Sequence, residues 1–152
     1  MNVLTVYAPH SGKLEEEKEN FWNEIFHLVS CIAQNEMVVL AGDKNGHAES
    51  NIVGYDGTCG GYGFGDRNAD VSRILEFADG LNLVICNTLF MNQESKLVTY
   101  AYVAGSAKRT VDYTMVRPWD KVKVRNVKVI PNEECVPKHK LLVMDVYSNK
   151  AT

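Results

Sequence analysis

The chain contains 152 residues, of which 45% are hydrophobic and 23% are charged, and its formal net charge at pH 7 is −3. This length and composition fit one globular domain, and we expect residues 1–152 to form it. No apolar run approaches the roughly 18 residues of a membrane span, and the N-terminus lacks a secretory pattern. We therefore expect neither a membrane protein nor a secreted one, and the charge argues against a generic nucleic-acid binder.

The four cysteines, at positions 31, 59, 86 and 135, are too far apart for a CxxC motif or a zinc knuckle. Cys31 and Cys86 lie in apolar segments, which predicts two core residues rather than metal ligands. Reduced thiols fit an intracellular compartment, either the nucleus or the cytoplasm.

The first half of the chain predicts alternating strands and helices. Residues 2–7 alternate weakly in polarity and meet Ala8-Pro9, which indicates a strand ended by proline. Residues 37–41 form an apolar run edged by glycine, which is typical of a buried strand.

The strongest helical pattern lies between these strands, at residues 14–33. Acidic residues crowd its first turns, where the helix dipole favours them, and Ser11 or Gly12 could begin the helix. The spacing of large side chains predicts one buried face. That face consists of Phe21, Ile25, Leu28, Val29 and Ile32.

A long polar segment precedes a second predicted helix. Residues 46–66 are rich in Gly, Asp and Asn, which predicts a long surface loop, and loops of this length are often functional. A helix is expected at 69–80, ended by Gly80. Its buried side chains are expected to be Ile74, Leu75, Phe77 and Ala78.

The second half of the chain is dominated by strand patterns. Apolar runs predict strands at 83–86, 97–103, 110–116, 122–130 and 141–146. The order of elements is strand, helix, strand, helix, and then consecutive strands. This order indicates a mixed α/β (α+β) chain whose sheets pack in layers, with hairpins in the second half.

Polar side chains occur at or near the ends of three predicted strands. Asp43, Asn45 and His47 follow the buried strand, Asp112 lies inside a later strand, and His139 precedes the last one. Residues at strand ends are positioned by the sheet while they face solvent, which suits catalysis. Carboxylate, amide and imidazole groups together could activate water against a phosphodiester.

These residues also have structural interpretations. Asp43 could cap its loop, and Asn45 begins a common turn dipeptide. Asp112 is harder to explain, because a carboxylate inside an apolar strand needs a partner if it is buried. His139 is the natural partner.

Charge is unevenly distributed along the chain. Residues 1–106 contain 6 Lys/Arg against 14 Asp/Glu, whereas residues 107–140 contain 9 against 4. The basic segment could follow a nucleic-acid backbone, although a solvated strand face with scattered lysines explains it equally well.

Seven segments carry recognisable motifs in a fixed order. They are VYAP at 6–9, GDKNGH at 42–47, GGYGFGDRN at 60–68, LEFA at 75–78, LVTY at 97–100, VDY at 111–113 and HKLLVMD at 139–145. The ordered set resembles the endonuclease/exonuclease/phosphatase superfamily. Within it, the chain is most similar to the endonucleases of RTE-type retrotransposons and to host proteins derived from them.

This resemblance implies an incomplete four-layer α/β sandwich, with the active site at one end between two sheets. The chain would correspond to the C-terminal two thirds of that fold. By matching positions, Asp43 and Asn45 would orient and deprotonate the attacking water or bind phosphate. His139 would stabilise or protonate phosphoryl oxygens, and Asp112 would orient the imidazole.

The resemblance also implies a substrate and a cofactor. Tyr7 would contact the scissile phosphate of DNA, and Asn68 the backbone nearby. The cofactor would be Mg²⁺ or Mn²⁺, with Asp43 as its ligand, because the family's metal-binding Glu lies upstream of the matched residues. We therefore expect a metal site with few protein ligands, and weak activity.

Two residues depart from the family pattern, and part of the fold is unmatched. Lys138 stands where many relatives carry Asp, and Lys44 stands where a large apolar residue normally packs under the site. Burying a lysine is costly unless it is paired or reaches water. An uncovered sheet face would also favour self-association.

Three functions remain open from the sequence. The first is a metal-dependent endonuclease or phosphodiesterase acting on DNA. The second is a catalytically silent nucleic-acid or protein interaction module derived from such an enzyme. The third is a phosphatase of small phosphoesters or phosphoinositides, which the RTE-like glycine-rich loop disfavours.

Overall fold

The structure, a computed structural model, describes residues 1–45, 55–60, 69–101 and 108–147. Its α-helices are α1 (Glu15–Ser30) and α2 (Ala69–Gly80). Its strands are β1 (Asn2–Tyr7), β2 (Val38–Asp43), β3 (Val84–Ile85), β4 (Tyr100–Ala101), β5 (Lys108–Arg109), β6 (Asp112–Val116), β7 (Val124–Val136) and β8 (His139–Val146). The predicted mixed α/β class is confirmed.

The strands form two four-stranded sheets. The first sheet has the order β1-β2-β6-β3, and the second has the order β5-β4-β8-β7. Strand β1 is parallel to β2, whereas the other pairings between these strands are antiparallel. In the first sheet, the antiparallel register places Asp43 at the end of β2 opposite Asp112 at the start of β6.

The first sheet is buried on both faces. On one face, Leu40 and Met115 pack with Trp22 of α1 and Leu75 of α2. On the other face, Val39, Val116 and Cys86 pack against apolar residues of β7 and β8. The described residues therefore form three layers, helices on sheet on sheet, which is an incomplete four-layer sandwich.

Helix α2 buries its predicted face, and α1 turns most of its predicted face inward. Residues Ile74, Leu75, Phe77 and Ala78 are all buried. In α1 Val29 is buried, and predicted Phe21 and Ile25 are half-buried against the same core as Trp22. Leu28 is 53% exposed, so its predicted burial was wrong.

The ends of α1 also differ from the prediction. The helix begins at Glu15, with Leu14 as its N-cap, rather than at Ser11 or Gly12. Cys31 follows its last turn and is exposed, so its predicted core position was wrong, whereas Cys86 is buried. Neither α1 nor α2 is long and apolar enough to cross a bilayer.

Two strand predictions missed an observed limit by more than two residues. The run predicted at 97–103 forms a strand only at Tyr100–Ala101 within its described part. Strand β7 begins after the 3-10 helix Pro118–Lys123 and continues past Pro131 to Val136. The pairing with β8 shifts register between Ile130 and Glu134, and a bulge accommodates proline inside a strand.

Candidate active site

The end of β2 is fixed closely against β1. Gly42 has φ = 130°, and a Cβ added there would lie 2.0 Å from the carbonyl oxygen of Val6. Only glycine fits this approach. The next residue, Asp43, accepts a backbone hydrogen bond from Ala8 at 2.8 Å, so the Asp43 carboxylate projects from a rigid strand end.

Three predicted residues come together across the two sheets. Asp43 and Asp112 belong to the first sheet, and His139 is the first residue of β8 in the second. Nδ1 of His139 lies 3.1 Å from Oδ2 of Asp112, and Nε2 lies 3.7 Å from Oδ2 of Asp43. When Nδ1 carries a proton, it donates a hydrogen bond to Oδ2 of Asp112, and Nε2 faces Asp43.

Buried polar side chains hold Asp112 in place. The hydroxyl oxygen of Thr99 accepts hydrogen bonds from the backbone N–H groups of Val111 at 2.9 Å and Asp112 at 3.1 Å. The amide of Asn87 donates to the carbonyl oxygen of Asp112 at 3.0 Å. Sequence reasoning missed both Thr99 and Asn87, because neither residue type in a strand-like segment points to a site.

Asn45 combines its turn role with a position in the site. Its side-chain amide donates to the carbonyl oxygen of Ala8, and its backbone N–H donates to Oδ1 of Asp43 at 2.8 Å. Its backbone has φ = 51°, in the left-handed region that Asn tolerates. Asn45 therefore links the ends of β1 and β2 while it lines the same cleft as Asp43.

Asp43, Asn45 and His139 line an open cleft of about 370 Å³. Predicted Tyr7 lines this cleft and is 70% exposed. The cleft is also lined by Tyr100 of the LVTY motif and by Arg109 of the basic segment, neither of which was predicted as a site residue. The ring of Tyr100 contacts His139 edge-on, with centroids 5.1 Å apart. Predicted Asn68 lies outside the described residues, as do His47 and most of the glycine-rich loop.

The cluster offers ligands for a divalent cation. One ligand atom from each of Asp43, Asp112 and His139 lies within 4.8 Å of the others. Burial raises the pKa of Asp43, and the charge of Asp112 adds to that effect, whereas the N–H of Asn45 opposes it. Two carboxylates brought together in this way suit a hard cation, which would offset their repulsion.

Lys44 lies beneath this cluster. It is 2% exposed, and its ammonium donates to the carbonyl oxygens of Tyr113 at 2.8 Å and Gly42 at 3.3 Å. Burial lowers the pKa of Lys44 to about 7, against the opposing effect of Asp112 and Asp43. The cost expected from the sequence is thus offset by two carbonyl acceptors rather than by contact with water.

Comparison with characterised proteins identifies two clear relatives. Craniofacial development protein 2 from Bos taurus is 30% identical over 143 residues, which is 94% of this chain and 24% of that protein. The protein of that name from Tragulus javanicus is 29% identical over 143 residues, 94% of this chain and 25% of its own. The chain thus spans about a quarter of the length of these relatives. No family model matches it.

Solved structures with the same fold are nucleases and a phosphatase. The endonuclease domain of TRAS1, a telomere-specific non-LTR retrotransposon, superposes with a TM-score of 0.61 at 15% identity, over 87% of this chain and 52% of that one. The 3'-5' exonuclease NExo from Neisseria meningitidis gives 0.65 at 15%, over 95% and 60%. NExo described as a 3' phosphatase bound to a product DNA hairpin gives 0.62 at 14%, over 96% and 61%. At these identities the likeness establishes the fold.

Proposed function

This chain belongs to the endonuclease/exonuclease/phosphatase superfamily, and from that premise we propose that it is a retroelement-derived, metal-dependent endonuclease-like domain that hydrolyses DNA phosphodiester bonds. The observation that carries the proposal is the hydrogen-bonded set of Asp112 and His139 beside Asp43, in a cleft open to solvent. The motifs shared with RTE-type endonucleases and the likeness to the TRAS1 domain support the retroelement origin.

The geometry gives each residue a chemical role. Asp112 orients the imidazole of His139 through Nδ1, and Nε2 lies on the side of Asp43. In its doubly protonated form, His139 would donate the Nε2 proton to a phosphoryl oxygen while Nδ1–H stays hydrogen-bonded to Asp112. Asp43 would orient and deprotonate the attacking water, and Asn45 would help to place it. Tyr7, whose hydroxyl is exposed in the same cleft, would contact the scissile phosphate, as would Asn68 nearby by its sequence match.

Mg²⁺ or Mn²⁺ is the cation that fits this donor set best, because carboxylate oxygens are its preferred protein ligands. Asp43 would hold it, since Oδ2 of Asp112 is already engaged by His139. When bound, the cation would neutralise charge that develops on the phosphate. A single carboxylate ligand binds a divalent cation weakly, so we expect low activity from this chain alone.

DNA is the proposed substrate because the cleft is lined by cationic side chains. Arg109 is exposed and lines the cleft, as does Lys138, the residue before His139. Both belong to the basic segment 107–140. Cationic groups in the same cleft as His139 would pair with the phosphates that flank the cleaved bond.

The alternative is a catalytically silent module that retains nucleic-acid or protein binding. Two observations favour it. Only Asp43 among the two site carboxylates is not hydrogen-bonded to His139, and the Lys44 ammonium is buried next to it in the chain. A silent module would bind DNA at low salt and release it steeply as salt rises, without cleavage.

Supercoiled-plasmid nicking with Mg²⁺ tests the proposal. We expect nicking that EDTA abolishes and that the variants Asp43→Ala and His139→Ala lose. His27→Ala, on the exposed side of α1, is the matched control and should retain full activity. Undiminished nicking in both site variants would show that a contaminant cuts the DNA. No nicking by folded protein that still binds DNA would favour the silent module.

The setting of the protein is also a proposal. Cys31, Cys59 and Cys86 are free thiols, which supports a reducing intracellular compartment, the nucleus or the cytoplasm. Self-association through an uncovered sheet face stays a proposal. The edge of strand β1, where Val3 is 56% exposed, is a second place for it.

A further inference from the structure

The backbone and side chain of Lys44 bind the two residues on either side of Asp112. The backbone N–H of Lys44 donates to the carbonyl oxygen of Val111 at 2.8 Å, one residue before Asp112. Its ammonium donates to the carbonyl oxygen of Tyr113 at 2.8 Å, one residue after it. The same ammonium reaches the carbonyl oxygen of Gly42 at 3.3 Å, one residue before Asp43. Lys44 thus connects the two backbone segments that carry the site carboxylates.

The ammonium also places a positive charge near the backbone of both site carboxylates. Its carbonyl acceptors, Gly42 and Tyr113, are the sequence neighbours of Asp43 and Asp112. The side chain is almost fully buried, so water screens its charge poorly. A positive charge in this place attracts both carboxylates and repels a cation held by Asp43.

We propose that Lys44 is a positioning residue that fixes Asp43 and Asp112 through its ammonium and, by its charge, weakens the affinity of Asp43 for a divalent cation. This inference rests on the proposed function, because it concerns the same site. A lysine that only filled space would be served equally by methionine, whose unbranched side chain follows a similar path. The difference between the two side chains is therefore the test of the ammonium.

The first measurement is Mn²⁺ affinity by calorimetry at pH 6.5, on the wild type and on Lys44→Met. We expect the variant to bind Mn²⁺ more tightly, by roughly tenfold or more, because a buried unit charge beside the backbone of the metal-binding carboxylate is removed from a site of low effective dielectric. Simple structural damage would weaken binding instead. Lys96→Met, an exposed lysine in another part of the chain, should leave Mn²⁺ affinity unchanged.

A second variant separates charge from hydrogen bonding. Lys44→Gln keeps a donor near the two carbonyl oxygens but carries no charge, so it should also tighten Mn²⁺ binding. At saturating Mn²⁺, we expect the kcat of nicking to fall about tenfold in Lys44→Met and less in Lys44→Gln. Only Lys44→Met loses every side-chain hydrogen bond to the carbonyl oxygens beside Asp43 and Asp112. Lys44→Gln also serves if Lys44→Met does not fold.

The outcomes distinguish this inference from the proposed function. Unchanged or weaker Mn²⁺ binding in both folded variants overturns the role of Lys44 while wild-type nicking still stands. Tighter Mn²⁺ binding without any wild-type nicking supports the role of Lys44 and overturns the hydrolytic function. Absence of Mn²⁺ binding by the wild type and by both Lys44 variants overturns both.

Discussion

His139 and Asp112 belong to different sheets, and the 3.1 Å between Nδ1 and Oδ2 joins those sheets at the cleft. Residues 112 and 139 are 27 positions apart, with the rest of β6 and all of β7 between them. The contact therefore exists only when the two sheets pack in their observed register, so the site cannot form unless the fold forms.

Replacing Asp112 should impair catalysis through His139. Asp112→Asn keeps the shape of the side chain but can present an N–H to Nδ1, which favours the wrong tautomer. We expect the nicking rate to fall by roughly 10²- to 10⁴-fold, as for comparable orienting carboxylates. Asp79→Asn, on the exposed side of α2, is the matched control. An Asp112→Asn protein with the wild-type rate would contradict the orienting role.

The buried lysine should make stability depend on pH. The pKa of Lys44 falls from 10.5 to about 7 in the folded chain, so the unfolded chain binds more protons between these values. The free energy of unfolding must then rise with pH in this window. Burial raises the pKa of the Cys59 thiol to about 11 and of Cys86 to about 12, which opposes the trend only above the ordinary cysteine value near 9.

Urea denaturation in EDTA at pH 7, 8 and 9 measures this effect. We expect the wild type to gain about 1 to 2 kcal/mol across that range, and Lys44→Met to show a nearly flat profile. Lys96→Met should follow the wild type. Parallel profiles for wild type and Lys44→Met would mean that the buried amine does not titrate there.

Arg109 should contribute to DNA affinity without sequence preference. It is exposed at the wall of the cleft, where a phosphate next to the scissile bond would lie. We expect Arg109→Ala to weaken binding of a DNA duplex and to reduce the slope of log K against log salt by about one. Fluorescence anisotropy at several salt concentrations measures both. Lys96→Ala, which does not line the cleft, should leave the slope intact; an equal loss there would point to nonspecific charge.

Strand β1 should support self-association through its outer edge. We expect the wild type to show a dimer whose fraction rises with concentration in light scattering after size exclusion. Val3→Lys places a charge on that edge, and charged side chains disfavour edge-to-edge pairing. The variant should be monomeric at the same concentrations, with Leu28→Lys, on the exposed side of α1, as the control. A monomeric wild type at all concentrations would rule this association out.

Much of the fold was predictable because local patterns and tertiary packing agree. Strand β1 and helix α2 have the predicted limits, and all four inward positions of α2 are buried. The errors occurred where packing decides between nearly equal local choices. Leu28 and Trp22 both fit an apolar stripe on α1, and the orientation of the helix on the sheet buries Trp22.

The candidate site was likewise predictable only in part. The sequence by itself determined the candidates: Asp43 and Asn45 after a buried strand, Asp112 in an apolar run that demands a partner, and His139 before the last strand. Tertiary structure alone decided which of these groups meet and how Thr99 and Asn87 support Asp112. It also decided that the Lys44 ammonium binds the carbonyl oxygens of Gly42 and Tyr113, next to both carboxylates in the chain. The physical reason is that strand patterns fix the face and the end of each side chain, whereas distances across two sheets depend on register and packing.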